Sequence, residues 1–214
     1  MTSRFETEII RRLKAKDNIT YEHSNRVAYL AALIGIEMKL PATEVLELKR
    51  AGLFHDVGKT NISSKILTKE GSLTDLEYKK MKNHTVLGYC IIPNDEEDKR
   101  IKEAALLHHE RIDGSGYPFG LTNIPLFARI IAVADTFDAM TNKRPYNDPQ
   151  DDLIALMELR KQSQIQIDEN GKKHQEFDPE IVEAFIKAYV KEFMKQETNN
   201  VPKRYNTLKK VSNQ

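Results

Sequence analysis

Cysteine is nearly absent from this 214-residue sequence, and there is little excess of charge of either sign. The single cysteine, Cys90, excludes an intrachain disulfide and argues against a structural zinc site. No apolar run is long enough to span a bilayer or to form a signal sequence. The formal net charge of +1 argues against a nucleic-acid-binding surface. We therefore expect a cytoplasmic protein with no membrane segment and no nucleic-acid partner.

Histidine and aspartate occur in a pattern that predicts a metal site. Neutral imidazole and carboxylate suit borderline divalent metals, and one carboxylate can bridge two ions. Five of the six histidines belong to the pattern, two of them adjacent and one followed directly by aspartate. The predicted ligands are His23, His55, Asp56, His84, His108, His109 and Asp135.

Each of these residues also has an ordinary interpretation, because a histidine on an amphipathic helix is more often packed or solvated than a ligand. Only their joint occurrence favours a metal site. Asp138 has two interpretations of equal weight: it accepts a hydrogen bond that orients a ligand, or it caps local backbone. His174 has no motif partner, and we leave it outside the site.

The spacing of apolar residues predicts an all-α fold. Helices are expected over 22–38, 43–57, 99–108 and 179–195, with another that starts at Pro125. A capping box at Thr74 predicts a helix that carries His84 about three turns later. The glycine-rich segment 113–123 is predicted to be a shaped loop. Alternation of apolar and polar residues within 163–175 predicts a small β-hairpin.

Two stretches carry a resemblance to a known family: FHDVGK at 54–59 and HHERIDGSGYPFGL at 108–121. Shorter matches are HSNRVA from His23, KNHTVLG around His84, a stretch over 124–146 and EFDPEIVEAF at 176–185. An HD pair, a His-His pair, a Gly-Tyr-Pro loop and a later aspartate follow one another in this order. The sequence resembles the HD-GYP phosphohydrolase domain over roughly residues 19–191.

The resemblance implies a compact helical bundle of the HD superfamily and a metal-dependent phosphodiesterase. Such enzymes open cyclic di-GMP to the linear dinucleotide pGpG, and some cut further to GMP. The cofactors implied are two divalent ions, iron or manganese. His23, His55, Asp56 and Asp135 would hold one ion, and Asp56, His84, His108 and His109 the other.

The resemblance also implies residues for catalysis and substrate binding. Catalytic roles fall to Asp56, as the bridging ligand, and to Lys59, which would stabilise developing charge or help to protonate the leaving sugar oxygen. Asp138 joins this set only under the first of its two interpretations, in which it orients a ligand. Contacts with the cyclic dinucleotide are implied for Lys59, Gly116, Tyr117, Pro118 and Arg144.

Two positions depart from the family pattern. Ile19 stands where members with a third metal carry glutamate, so we expect a binuclear site. Asn147 stands where many members have a basic residue, so one phosphate contact is missing. We divide the chain into an N-terminal helix at 1–18, a catalytic domain at 19–195 and a polar, flexible tail at 196–214.

Two other functions stay open. One is a signalling module that binds a nucleotide or a partner protein with little turnover. The other is an HD-type phosphohydrolase that acts on other nucleotides. The resemblance is compatible with a homodimer or with a regulatory protein partner.

Overall fold

The computed structural model describes residues 4–95, 98–142 and 149–197. These residues are mostly helical, with one two-stranded antiparallel hairpin. In chain order the elements are α1 (Arg4–Lys16), α2 (Asn18–Glu37), α3 (Ala42–Phe54), a 3-10 helix (Val57–Asn61), α4 (Ser64–Leu67), α5 (Asp75–Lys82), α6 (His84–Ile91), α7 (Lys99–Leu107), α8 (Leu126–Thr141), α9 (Asp152–Ser163), β1 (Gln166–Ile167), β2 (Lys173–His174) and α10 (Pro179–Glu197). The prediction of an all-α fold with a small hairpin is confirmed.

Helix α8 lies at the centre of the bundle. It contacts α2, α3, α7, α9 and α10, and every residue from Ile130 to Asp135 is buried. An uninterrupted apolar stretch is what a helix packed on several sides requires. Because α8 is central, it carries Asp135 and Asp138 into the interior, one helical turn apart.

Helices α2 and α3 approach closely because Gly52 has no side chain. A Cβ at Gly52 would lie 2.5 Å from the Cα atom of Ala28. The close approach places the rings of His23 and His55 with their centroids 5.2 Å apart. Tertiary packing at a glycine thus brings together two residues that are 32 positions apart in the sequence.

Several helix boundaries differ from the predicted ones. Helix α2 starts at Asn18 rather than 22, because Asp17 caps it by accepting hydrogen bonds from the backbone N–H groups of Ile19 and Thr20. Helix α3 ends at Phe54 rather than near 57, and a 3-10 helix follows. Pro125 caps α8 from the position just before its first residue.

The predicted position of His84 within the capped helix is wrong. The capping box at Thr74 is present, but its helix, α5, ends at Lys82, and His84 opens the separate helix α6. The start of α6 packs against the 3-10 helix, where a Cβ on Gly58 would lie 1.9 Å from the carbonyl oxygen of His84. This contact joins residues that are 26 positions apart, so local sequence does not encode it.

The hairpin is tied to the loop that follows the paired histidines. The backbone N–H of Gln175 donates to a carboxylate oxygen of Asp113 at 3.0 Å, and that of Ile112 donates to the carbonyl of Glu176 at 3.1 Å. Helices α4 and α9 were not predicted. No helix in the three described ranges is long and apolar enough to cross a membrane. The predicted tail lies outside the described residues from position 198 onward.

Candidate metal centre

The seven predicted ligands converge on one site inside the bundle. Their donor atoms form two clusters and a third group, His55, Asp56 and His108, that overlaps both; within each of the three the atoms lie no more than 4.8 Å apart. The first cluster is His23, His55 and Asp135, and the second cluster is His84, His108 and His109. The ligands come from α2, from the segment after α3, from the start of α6, from the end of α7 and from α8.

Asp56 lies between the two clusters. Its Oδ2 atom is 3.4 Å from Nε2 of His55 and 3.7 Å from Nε2 of His23, both in the first cluster. Its Oδ1 atom is 3.3 Å from Nε2 of His84, in the second cluster. One carboxylate thus presents one oxygen to each cluster, which is the arrangement that a bridging ligand needs.

Backbone carbonyls fix which imidazole nitrogen faces the site. The Nδ1 atom of His55 lies 2.7 Å from the carbonyl oxygen of Gly52, that of His84 lies 2.7 Å from the carbonyl of Met81, and that of His108 lies 3.0 Å from the carbonyl of Ala105. A carbonyl can only accept, so each Nδ1 must carry the proton. In the neutral imidazole, Nε2 then keeps its lone pair for a metal.

Asp138 lies directly behind His23. Its Oδ2 atom is 2.6 Å from Nδ1 of His23, and Arg26 donates to both carboxylate oxygens at 2.6 and 3.0 Å. Asn142 donates to Oδ1 at 3.0 Å. Asp138 is therefore part of a buried network that orients a predicted ligand. Of its two interpretations, the geometry favours the orienting one.

The site keeps its carboxylates charged and most of its histidines neutral. Burial raises the pKa of Asp56, but Lys59 and His55 outweigh it and hold that pKa well below its usual range. The pKa of Asp135 is also lowered, because His23 outweighs the effect of burial. Burial lowers the pKa of His84 to about 4. Deprotonated ligands are therefore present at neutral pH, as metal binding requires.

His55 behaves differently from the second cluster. Burial lowers its pKa, but the nearby carboxylates of Asp56 and Asp135 raise it, and the net shift is upward. Burial holds the pKa values of His108 and His109 well below the usual range. Negative charge is therefore concentrated at the first cluster and at Asp56, and a cation would offset it there.

Two buried polar atoms in the site, Nε2 of His55 and Oδ1 of Asp56, have no hydrogen-bond partner among the residues that the structure describes. Buried polar atoms without partners are costly, and they are uncommon in folded proteins. Both atoms are lone-pair donors that face the other predicted ligands. Imidazole nitrogens and carboxylate oxygens in this arrangement fit divalent metal ions.

The Gly-Tyr-Pro loop is held against the paired histidines. Tyr117 stacks on His109 with ring centroids 4.6 Å apart, and its backbone N–H donates to the carbonyl of His109. A Cβ on Gly116 would lie 2.4 Å from the Cα atom of Glu110. Glycine at 116 thus allows the loop to approach the backbone of Glu110.

Glu110 was not predicted as a functional residue. It is 1% exposed, and its two carboxylate oxygens accept hydrogen bonds from the backbone N–H groups of Phe119 and Leu121, at 2.7 and 2.9 Å. Its place directly after the His-His pair was the available signal, but sequence alone does not reveal that the acid is buried.

A cavity of about 420 Å³ opens onto the site. Lys59 and Tyr117, both predicted to contact substrate, line it together with His23, His84 and His109. Lys59 also donates from Nζ to Oδ2 of Asp56 at 2.5 Å.

The other predicted substrate contacts have different outcomes. Gly116 and Pro118 are not among the described residues that line the cavity, although they shape the loop that presents Tyr117. Arg144 and Asn147 lie outside the described residues. The rest of the wall comes from α2 and from the segment between residues 67 and 81.

Comparisons with known proteins match most of the chain. The family model of the HD domain matches residues 9–171. A cyclic di-GMP phosphodiesterase of Thermotoga maritima is 41% identical over 176 residues, which cover 80% of this chain and 45% of the relative. A cyclic di-GMP phosphodiesterase of Pseudomonas aeruginosa is 38% identical over 180 residues, covering 83% of this chain and 41% of the relative. The chain thus spans less than half the length of these two relatives.

A solved structure shares the fold. The crystal structure of a cyclic GMP-AMP specific phosphodiesterase of V. cholerae aligns with a TM-score of 0.54 at 19% identity, and the alignment covers 86% of this chain and 49% of that one. With its His-Asp pair, its paired histidines and the Gly-Tyr-Pro loop packed on them, the chain belongs to the HD domain family and is a member of its HD-GYP group.

Proposed function

We propose that this protein hydrolyses a 3′,5′-phosphodiester bond of a cyclic dinucleotide, with cyclic di-GMP as the substrate and pGpG as the first product. The observation that carries the proposal is Asp56, which presents one oxygen to each of two histidine clusters. Relatives at 41% and 38% identity are cyclic di-GMP phosphodiesterases, which supports the choice of substrate.

The residues present would hold two divalent ions. His23, His55 and Asp135 would bind one, His84, His108 and His109 the other, and Asp56 both. When bound, such ions lower the pKa of a water molecule and offset the charge of the phosphate oxygens. A donor set rich in histidine with some carboxylate accepts iron, manganese, zinc or nickel, and the choice of iron or manganese rests on the resemblance to the HD-GYP family.

The remaining residues suit the leaving group and the substrate. Hydrolysis adds the oxygen of water to phosphorus and breaks the bond to the 3′ oxygen, which must gain a proton. Lys59 lines the cavity beside Asp56, where its ammonium group can stabilise or protonate that oxygen. Tyr117 supports His109 by stacking on its ring. The cavity volume is within the range of about 300–1,000 Å³ that is typical of small-molecule sites.

The test is hydrolysis of cyclic di-GMP by protein reconstituted anaerobically with iron or manganese. Products are separated by chromatography, and the bound metal is counted by elemental analysis. We expect pGpG and two metal ions per chain for the native protein, and neither activity nor full metal content for Asp56→Ala. Metal-loaded, folded protein that hydrolyses no cyclic dinucleotide would refute the proposal and favour a binding module.

A second candidate substrate is 3′3′-cGAMP. It has one guanine and one adenine, and its phosphodiester linkages are those of cyclic di-GMP. A structurally similar protein is a cyclic GMP-AMP specific phosphodiesterase. Initial rates on the two dinucleotides, measured at equal concentration with the same metal-loaded protein, decide which is preferred.

A further inference from the structure

Part of the cavity wall is apolar. Leu67, Leu73, Tyr78 and Met81 line it, and Ile19 of α2 lines it as well. Leu67, Leu73 and Met81 belong to a small hydrophobic cluster separate from the main core. Tyr78 is 49% exposed and Ile19 is 52% exposed, so a ligand can reach both side chains. Aromatic and apolar side chains of this kind provide a surface for a nucleobase.

Glu70 is an acidic residue on the lining of this cavity. It is exposed, and it makes no hydrogen bond or ion pair with any residue that the structure describes. Its neighbour Lys69 is engaged elsewhere, with Nζ 2.6 Å from Oε2 of Glu77. Asp17, another acid on the lining, has both oxygens occupied, because it caps α2. Glu70 therefore keeps both oxygens available to a ligand.

A free carboxylate is unfavourable beside an anionic phosphodiester unless it meets hydrogen-bond donors. Guanine offers such donors side by side, at N1–H and at the N2 amino group, and they match the two oxygens of a carboxylate. Adenine has an unprotonated N1 at the corresponding edge, where its lone pair would face a carboxylate oxygen. A site built to pair with such donors rejects analogues that lack them.

We propose that Glu70 selects guanine over adenine at this wall of the cavity, by accepting hydrogen bonds from N1–H and the N2 amino group. The inference rests on the proposed function and names the base that the site reads. One guanine base is enough to donate to the single carboxylate of Glu70, so cyclic di-GMP and 3′3′-cGAMP are both expected to bind. Cyclic di-AMP, which has no guanine, is expected to bind more weakly.

The experiment compares three ligands, cyclic di-GMP, 3′3′-cGAMP and cyclic di-AMP, on the metal-loaded 214-residue protein. For each ligand kcat/KM is measured from initial rates, and Kd is measured by calorimetry. The native protein should prefer both guanine-containing ligands over cyclic di-AMP by about 10-fold or more. Glu70→Gln should reduce that ratio by about 10-fold, because its amide group can donate to N1 of adenine. Glu70→Ala should lower the preference for guanine-containing ligands over cyclic di-AMP, but it should not create a preference for cyclic di-AMP.

Asp75→Asn is the matched control, because it removes the same charge from an exposed position of the same segment that does not line the cavity. It should keep the native ratio. Equal ratios in native protein and both Glu70 variants would overturn the inference, as would a native protein without preference for guanine. If no ligand is hydrolysed, the proposed hydrolysis is refuted, and the ratios of the Kd values then test whether Glu70 selects guanine. If no ligand binds, the inference about Glu70 is overturned as well.

Discussion

The Nδ1 atom of His23 lies 2.6 Å from Oδ2 of Asp138, although the two residues are 115 positions apart. Arg26, one turn after His23 on α2, donates to both oxygens of the same carboxylate. The carboxylate therefore fixes the proton of His23 on Nδ1 and directs Nε2 towards Asp135, whose Oδ1 atom is 3.0 Å away.

Substitution of Asp138 by asparagine should weaken metal binding without removing any proposed ligand. Loss of a carboxylate behind a metal-bound histidine typically costs about 10- to 100-fold in metal affinity. Calorimetric titration of metal-free protein with manganese measures the change in metal affinity. Arg26→Gln is the control, since it keeps the contact between His23 and Asp138 and should have a smaller effect. Equal affinities for native protein and Asp138→Asn would contradict the orienting role.

Substitution of Glu110 by glutamine should loosen the Gly-Tyr-Pro loop. The carboxylate accepts from two backbone N–H groups, whereas an amide has one oxygen and would point its N–H₂ group at the other donor. A buried donor left without a partner costs about 1–3 kcal/mol. We expect lower stability in denaturant unfolding and faster amide exchange at residues 117–121. Glu169→Gln, at an exposed position, should change neither. If amide exchange in this loop is the same in Glu110→Gln as in native protein, the two hydrogen bonds to the Glu110 carboxylate are not needed to hold the loop.

The stability of metal-free protein should fall as the pH decreases from about 6.5 towards 4. Burial lowers the pKa of His84 to about 4 from a usual value of 6.5, so between these values the unfolded chain binds a proton that the folded protein does not. Stability therefore rises with pH in this window and is fully present above 6.5. For His84 alone the difference corresponds to about 3 kcal/mol. His108 and His109, with pKa values lowered by burial, act in the same direction.

Denaturant unfolding of chelator-treated protein between pH 4.5 and 7.5 tests this dependence. The His84→Gln variant should show a shallower profile over the same range. The pKa of His55 is raised overall, so its contribution to stability is present below pH 6.5 and is lost as the pH rises above that value. A decline towards acidic pH therefore reports His84, His108 and His109, and His55 gives a decline only on the alkaline side. Stability that is independent of pH between 4.5 and 6.5 would contradict the buried, neutral state of these histidines.

Substitution of Gly58 by alanine should damage both the fold and the metal centre. The added Cβ would lie 1.9 Å from the carbonyl oxygen of His84 and 2.5 Å from the backbone nitrogen of Gly88, and neither atom belongs to a flexible side chain. Overpacking of this kind costs about 1–3 kcal/mol or more. The shift would also separate Asp56 from His84. Thermal unfolding and metal content measure the two effects.

Gly88→Ala is the control for this substitution. Gly88 lies in α6 on the same interface, but its nearest neighbour would be 3.5 Å from the new Cβ, which is an ordinary contact. Alanine also has the higher helix propensity. We expect Gly88→Ala to be tolerated, and a Gly58→Ala variant of native stability would contradict the close packing at the 3-10 helix.

Local sequence determined much of the fold. The spacing of apolar residues predicted the helices, Thr74 and Glu77 predicted the capping box, and the alternation within 163–175 predicted the hairpin. These features depend on contacts between residues a few positions apart, so short stretches of sequence contain their cause. The motifs likewise named the residues that meet at the candidate site, although their roles as ligands stay predictions.

Tertiary packing decided the rest. Whether Asp138 orients His23 depends on the contact between α2 and α8, and the close approach of Gly58 to His84 depends on the packing of α6 against the 3-10 helix. The cavity is lined by residues from positions 17 to 117, so its shape also arises from residues distant in sequence. The sequence by itself determined the donor atoms of this protein. Only the tertiary structure, through close backbone contacts and burial, decided which oxygen of Asp56 faces each histidine cluster.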